Sequence, residues 1–253
     1  MSERQDAAEI VLAAATEAAA LVMRVYATPF AVEYKSKDDP VTRADRESNA
    51  LICQRLARAF PGVPVVAEES DPSAYAGFAR ADSVWFVDPL DGTREYGEGR
   101  ADWAVHVGLA IDGDAAIGAV ALPGLPLTLS SADVRAPPRR SDARLRVLVS
   151  RTRPAPEALA VAAALDAELV PMGSAGAKAM AVVRGEADIY LHSGGQFEWD
   201  NCAPVAVARA AGLHVSRLNG QALRYNQADT RLPDLLVCRA ELAARVLELA
   251  AGL

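Results

Sequence analysis

The sequence predicts a mixed α+β and α/β fold built in two parts. Residues 1 to 135 combine two helical patterns with runs that read as antiparallel strands. Residues 141 to 253 alternate short apolar runs with helical stretches, which implies an α/β layer. Between them, Ser131-Ala132-Asp133-Val134-Arg135-Ala136-Pro137-Pro138-Arg139-Arg140 interrupts every periodicity and marks a subdomain boundary.

Taken in order, the first helix lies in the alanine-rich N-terminus. Val11, Ala14, Ala18, Leu21, Val22 and Val25 recur there at three- and four-residue spacing, and Pro29 stops the pattern. Glu3, Asp6, Glu9 and Glu17 exclude a secretory signal from this segment. A second helix is expected from about Thr42 to Phe60, closed by Pro61-Gly62. Thr42 and Asp45 have near-capping-box spacing, so Asp45 reads equally as a cap and as a functional carboxylate. A short strand at 63 to 67 leads into Glu68-Glu69, and Val84-Trp85-Phe86-Val87 is a buried strand with Trp85 as packing. Strands follow at 103 to 111, and in a hairpin at about 115 to 122 and 127 to 131. The uncharged run from Ala115 to Ala132 approaches membrane length, but Pro123, Gly124 and Pro126 make a hairpin the better reading. In the second part, strands are expected at 145 to 149, 168 to 170, 187 to 191, 213 to 216 and 235 to 238. Helices are expected at 155 to 165, 175 to 184, 201 to 211 and 240 to 251.

Composition narrows the setting. A chain of 253 residues with 51% apolar content can bury roughly 70 to 75% of its unfolded surface. A net charge of -7 argues against a nucleic-acid polymer as partner, so an anionic substrate must be small and locally neutralised. Cys53, Cys202 and Cys238 are odd in number, far apart and without C-x-x-C spacing, which suggests neither disulfides nor structural zinc and makes the cytoplasm the default.

The chemistry concentrates where the apolar run 84 to 87 ends in Asp88-Pro89-Leu90-Asp91-Gly92-Thr93. Buried carboxylates need a partner, and a divalent cation suits two of them three residues apart. Gly92 and Thr93 then open a helix whose free N–H groups suit an anion, which points to phosphate-ester chemistry. Glu68 ends a strand as Asp88 does, although it also reads as a solvated loop acid; Asp200 precedes a helix, where Asp is also a good N-cap. Gly173-Ser174-Ala175-Gly176-Ala177-Lys178 offers small residues and a cation at a strand-to-helix turn but lacks the Ser or Thr of a P-loop. D-P-L-D likewise has the wrong spacing for a D-x-D phosphatase nucleophile. His106 in its apolar strand reads as structural, and His192 stays open.

Glu68-Glu69, Asp88-Pro89-Leu90-Asp91-Gly92-Thr93 and Trp199-Asp200 resemble, in order and spacing, the inositol monophosphatase-like superfamily of metal-dependent, lithium-sensitive phosphatases. Within it, the chain is similar to the CysQ-type 3'(2'),5'-bisphosphate nucleotidases of the actinobacterial branch. Thr93-Arg94-Glu95-Tyr96, Asp102-Trp103-Ala104-Val105-His106, residues 191 to 200 and Leu223-Arg224-Tyr225-Asn226-Gln227 carry that likeness. Ala203-Pro204 departs slightly from the usual pattern, and Ser193 stands where inositol phosphatases tend to carry an acid. The resemblance implies a layered αβαβα sandwich of the inositol monophosphatase/fructose-1,6-bisphosphatase type, with the active site between the two subdomains. It implies two to three Mg²⁺: one held by Glu68, Asp88 and the Leu90 carbonyl, one by Asp88, Asp91 and Asp200, and a weaker one near Glu68 and Asp45. Thr93 and Asp45 would orient and deprotonate the attacking water, and Gly92 and Thr93 would hold phosphoryl oxygens. Arg94, Lys37, Lys178 and Arg224 are candidate cations for substrate phosphate, with Gly173, Ser174, His192, and residues 192 to 197 and 224 to 226, as further substrate contacts. The implied substrates are 3'-phosphoadenosine 5'-phosphate and 3'-phosphoadenylyl sulfate, in sulfur assimilation and nucleotide recycling. Inositol 1-phosphate or fructose 1,6-bisphosphate on the same scaffold is the alternative. A homodimer without membrane attachment is expected.

Overall fold

The computed structural model describes residues 3–37, 39–71, 78–138 and 144–252. Helix α1 (Glu3–Tyr26) buries Val11, Ala14, Ala18, Val22 and Val25, the stripe that its spacing predicts, with Leu21 partly covered. A hairpin of β1 (Glu33–Ser36) and β2 (Asp39–Val41) follows, which the sequence reading missed. Its β1 strand is exposed throughout, so no inward and outward alternation marks it. Helix α2 (Arg43–Ala59) starts at N-cap Thr42 and sends Ile52 and Leu56 into the same core as α1.

The first large sheet has the order β3-β4-β5-β6-β7. Its strands are β3 (Val65–Ala67), β4 (Ser83–Asp91), β5 (Ala104–Ile111), β6 (Asp114–Leu122) and β7 (Leu127–Ser130); β3 and β4 are parallel and the other pairs antiparallel. β4 outlasts its apolar run and continues to Asp91, so both acids are strand residues. The pairing with β5 slips between Asp88, opposite His106, and Asp91, opposite Ala104. This bulge accommodates Pro89, which has no N–H for a regular ladder. Helix α3 (Thr93–Gly97) turns directly out of β4, and Gly92 at its N-cap has φ +95°, a left-handed conformation that strains any residue with a Cβ.

The second large sheet has the order β11-β12-β10-β8-β9. β8 (Arg146–Ser150), β9 (Glu168–Met172) and β10 (Ile189–Phe197) run parallel, while β12 (Arg231–Cys238) pairs antiparallel with β10 and with β11 (His214–Ser216). Helices α4 (Pro156–Ala164) and α7 (Ala243–Ala251) cover its outer face, α5 (Ala175–Val183) and α6 (Glu198–Ala210) lie between the two sheets, and α1 and α2 cover the outer face of the first. The result is the expected αβαβα layering, with a separate apolar core at each outer layer and a third in the middle. Each large sheet takes its strands from one side of the 131 to 140 stretch, whose Arg139 and Arg140 lie outside the described residues. Among the described residues no helix is long and apolar enough to cross a membrane.

Close contact between α6 and the first sheet fixes the position of Asp200. A Cβ on Gly108 would sit 2.7 Å from the Ala203 nitrogen, and one on Gly118 would sit 2.5 Å from the Ala203 oxygen, so a side chain at either would push the helix off the sheet. Pro204 lies inside α6 and gives the Asp200 carbonyl no helical N–H partner.

Candidate active site

The ends of β3 and β4, the start of α6 and the loops after β8 and β9 surround a cleft of about 540 Å³. Glu68, Asp88, Leu90, Asp91, Gly92, Thr93 and Arg94, with Asp200 from the start of α6, line one side; Gly173, Ser174, Lys178 and His192 line the other. The fold thus brings together twelve of the residues singled out in the sequence.

Each acid is held differently. Asp88 Oδ1 accepts from the Leu90 N–H at 3.0 Å. Asp91 Oδ2 accepts from Ser174 Oγ at 2.6 Å and from the Gly176 N–H at 2.7 Å. Asp200 is the third residue of α6 rather than its N-cap, because the helix begins at Glu198, and its Oδ2 accepts from the Phe197 N–H at 2.6 Å. From the sequence His106 reads as structural, yet its Nε2 stands 3.2 Å from Asp91 Oδ2, and Asp88, Asp91 and His106 each offer a ligand atom within 4.8 Å of the others. Gly176 makes room for that ring: a Cβ there would come within 1.9 Å of Nε2.

Burial lifts Asp88 well above the usual carboxylate range, and the charges of Glu68, Asp91 and Asp200 add to it. Asp200 is lifted in the same way by burial and by Asp91 and Glu68. Burial carries Glu68 to about 7, against the pull of the Lys35 ammonium. Asp91 is the exception: burial raises it, but His106, Ser174 and the Gly176 N–H together bring it below its ordinary value. Like charges about 4 Å apart repel by about 4 kcal/mol at an effective dielectric of 20. Crowded carboxylates that resist ionisation fit a hard divalent cation, which relieves the repulsion and takes oxygen ligands.

Beside this cluster, Thr93 Oγ1 donates to Asp45 Oδ1 at 2.7 Å. Asp45 is also the acid of the α2 capping box: its Oδ2 accepts from the Thr42 N–H at 2.7 Å and Thr42 Oγ1 at 2.6 Å. The cap and the functional carboxylate are therefore one group. Burial pushes Asp45 up, partly offset by its Thr42 and Thr93 hydrogen bonds.

Of the expected substrate contacts, Lys37 and Arg224 fall outside the cleft lining and are corrected, while those inside it differ in what they leave free. Lys178 lines the cleft, but its Nζ donates to the carbonyls of Met172, Gly173 and Ser174 at 3.4, 3.1 and 2.5 Å, so its three protons are engaged. The amides after β9 are occupied as well: the Gly173 N–H donates to Asp102 Oδ2 at 2.6 Å, and Ser174 is spent on Asp91. Arg224 stands at the β5–β6 turn, 3.2 Å from Asp114 and outside the cleft lining, with the rest of 224 to 226. That turn is at the Ser83 end of β4, eight residues or roughly 25 Å from Asp91. Lys37 is exposed on the β1–β2 turn, also outside the lining. The lysine at the acids is instead Lys35, 2.6 Å from Glu69 and 3.4 Å from Glu68. His192 lines the cleft with Nε2 2.8 Å from the Gly194 carbonyl; burial and the Lys178 charge hold it down to about 4, so it is neutral at pH 7.

Residues 3–251 match the Inositol monophosphatase family. The chain belongs to that family. It is 48% identical over 210 residues to a Mycobacterium tuberculosis protein named 3'-phosphoadenosine 5'-phosphate phosphatase, covering 79% of this chain and 77% of the relative. It is 32% identical over 225 residues to the Escherichia coli K12 3'(2'),5'-bisphosphate nucleotidase CysQ, covering 83% and 90%. The crystal structure of CysQ from Bacteroides thetaiotaomicron superposes with a TM-score of 0.80 at 26% identity over 93% of this chain and 97% of that one. This is a family of metal-dependent phosphatases, and the acid cluster suits a metal.

A stability measurement tests the strained cluster. Glu68 and Glu198, both raised to about 7 chiefly by burial, bind protons in the folded chain well before their ordinary value of 4.5. Stability lost at high pH is therefore regained as pH falls through 7, while His192 opposes this weakly. Metal-free protein is expected to gain about 1 kcal/mol, or 2–4 °C in Tm, between pH 7.5 and 6.5, and saturating Mg²⁺ is expected to remove the share due to Glu68 while that of Glu198, outside the cleft lining, remains. A metal-free Tm that falls over this step would contradict the electrostatic account.

Proposed function

We propose that this protein is a Mg²⁺-dependent phosphatase that removes the 3'-phosphate of 3'-phosphoadenosine 5'-phosphate and of 3'-phosphoadenylyl sulfate, in sulfur assimilation and nucleotide recycling. The observation that carries the reading is the hydrogen-bonded Thr93–Asp45 pair set against the buried acids of one cleft, and the name and 48% identity of the mycobacterial relative support the substrate. In this reading Glu68, Asp88 and the Leu90 carbonyl hold one ion and Asp88, Asp91 and Asp200 a second; a third, near Glu68 and Asp45, would compete with the Lys35 ammonium. Bound divalent ions would offset phosphate charge and acidify water.

The chain itself supplies the proton path and the orientation. Thr93 has one hydroxyl proton, and Asp45 Oδ1 at 2.7 Å takes it in preference to the Leu90 carbonyl at 3.0 Å. The Thr93 oxygen then presents lone pairs to a water in the cleft. As that water attacks phosphorus, the bond from phosphorus to the ribose 3'-oxygen breaks and that oxygen takes a proton from solvent; the attacking water's proton passes to Thr93 Oγ1 while the threonine proton moves to Asp45, whose raised pKa suits a general base. The N–H groups of Gly92 and Thr93, with Arg94, bind the phosphoryl oxygens.

The proposal places this site between subdomains 1–135 and 141–253, each of which contributes to the cleft lining. It includes a cytoplasmic setting, consistent with three free cysteines, and a homodimer on family resemblance alone. Initial rates with Mg²⁺ on 3'-phosphoadenosine 5'-phosphate, inositol 1-phosphate and fructose 1,6-bisphosphate test the substrate. The nucleotide is expected to have the highest kcat/KM; a higher value for either of the others would transfer the assignment to that class. Ser193 favours the nucleotide: it lies outside the cleft lining, bonded to Glu157 at 2.7 Å, so this position supplies no acid for sugar hydroxyls.

A further inference from the structure

The two walls of the cleft differ in kind. The acids and Thr93 occupy the wall formed by the first sheet and the start of α6. The facing wall is made of the carboxyl ends of the parallel strands β8, β9 and β10 and the loops that follow them. Open α/β layers bind ligands at this end of their strands. Two cations line that wall, Lys178 and Arg153. Lys178 has no proton left for a ligand, because three backbone carbonyls take them.

Arg153 is the opposite case. Its side chain is exposed in the cleft lining and forms no ion pair among the described residues. Its backbone N–H donates to Ser150 Oγ at 3.2 Å, which ties the loop to the end of β8. The guanidinium lies over Gly195, where a Cβ would be only 3.2 Å from Nη1. Gly195 thus leaves the planar group room to lie flat against the β10 turn. Glu157, the acid at the start of α4, is bonded to Ser193 Oγ. An exposed, unpaired guanidinium on the rim of a cleft in a chain of net charge -7 is suited to an anion brought by the ligand.

We infer that Arg153 binds the phosphate that is not hydrolysed in a substrate carrying two, and so sets the preference of the cleft for bisphosphates over monophosphates. The inference rests on the phosphatase reading above. Arg94, next to Thr93 on the acid wall, belongs with the phosphate being cleaved, and Arg153 across the cleft belongs with the other.

The test compares kcat/KM for adenosine 3',5'-bisphosphate and adenosine 3'-monophosphate in the wild type, Arg153→Gln and Arg153→Lys, with Tm recorded for each to confirm folding. The wild type should favour the bisphosphate. Arg153→Gln should lower that preference about 10- to 100-fold, mainly through KM for the bisphosphate, the loss typical of one charged hydrogen-bonded contact. Arg153→Lys should recover part of it, since it keeps the charge and loses the bidentate fork. If the wild type favours the bisphosphate and Arg153→Gln keeps that ratio, the inference fails and the phosphatase reading stands. If the wild type hydrolyses neither nucleotide, the phosphatase reading fails and takes the inference with it.

Discussion

Asp200→Asn is expected to abolish Mg²⁺-dependent phosphate release and yet to raise the Tm of the metal-free protein. The loss should be at least about 10³-fold in kcat, because in the proposed site Asp200 would hold the second ion, whose charge stabilisation is worth several kcal/mol, and each 1.36 kcal/mol is tenfold in rate. The gain in stability follows from the repulsion and burial that keep Asp200 well above the ordinary carboxylate range. A neutral amide removes that cost and can still accept from the Phe197 N–H. Asp91→Asn should lose activity as severely but lower the Tm, because Asp91 is held in its charged form by His106, Ser174 and the Gly176 N–H. The opposite stability effects of two chemically identical substitutions separate this electrostatic account from general damage to the site. Phosphate release and thermal unfolding, each with and without Mg²⁺, give both readings. Near-normal turnover in either variant would falsify its assignment as a ligand.

Thr93→Ala is expected to reduce kcat at saturating substrate by about 10² to 10⁴, the usual contribution of positioned acid–base catalysis. It should also cost about 1–3 kcal/mol of stability, since Asp45 Oδ1 loses its donor inside the protein. Thr93→Ser keeps the hydroxyl and should stay much closer to wild type in both respects. Asp45→Ala divides the two roles of that residue. Loss of the cap alone costs about 1 kcal/mol and leaves turnover untouched, whereas the relay requires turnover to collapse as well. A fast Asp45→Ala enzyme would reduce Asp45 to a cap. Lithium is expected to inhibit through a Mg²⁺ position, and inhibition that does not weaken as Mg²⁺ is raised would count against that site.

Much of the acid cluster was legible because its residues announce themselves locally. Asp88 and Asp91 follow an apolar run, and a carboxylate pair at a strand end must be neutralised whatever surrounds it. The cations were not legible in the same way. Lys37 and Lys35 are two residues apart on an exposed hairpin, and only the β1–β2 pairing decides which one reaches Glu68 and Glu69. Lys178 carried the right charge beside the right glycines, yet its position over the loop that follows β9 commits its protons to carbonyls. Arg224 belongs to a segment of family likeness, but the loop that carries it runs to the opposite end of β4. His106 read as a core residue, and being fully buried it is one; what brings it to Asp91 is the β4–β5 register together with a glycine at 176.

By itself, then, the sequence determined the order and type of nearly all elements, the family, and the acids and hydroxyl that carry the proposed chemistry. These follow from periodicity and from short-range patterns in which neighbouring residues constrain one another. Tertiary structure alone decided which charged groups have free protons, which amides are already occupied, and which long side chains face the cleft. Those properties depend on partners far apart in the chain, such as Asp91 with Gly176 or Arg153 with Gly195, and a lysine or arginine can reach several places until packing selects one.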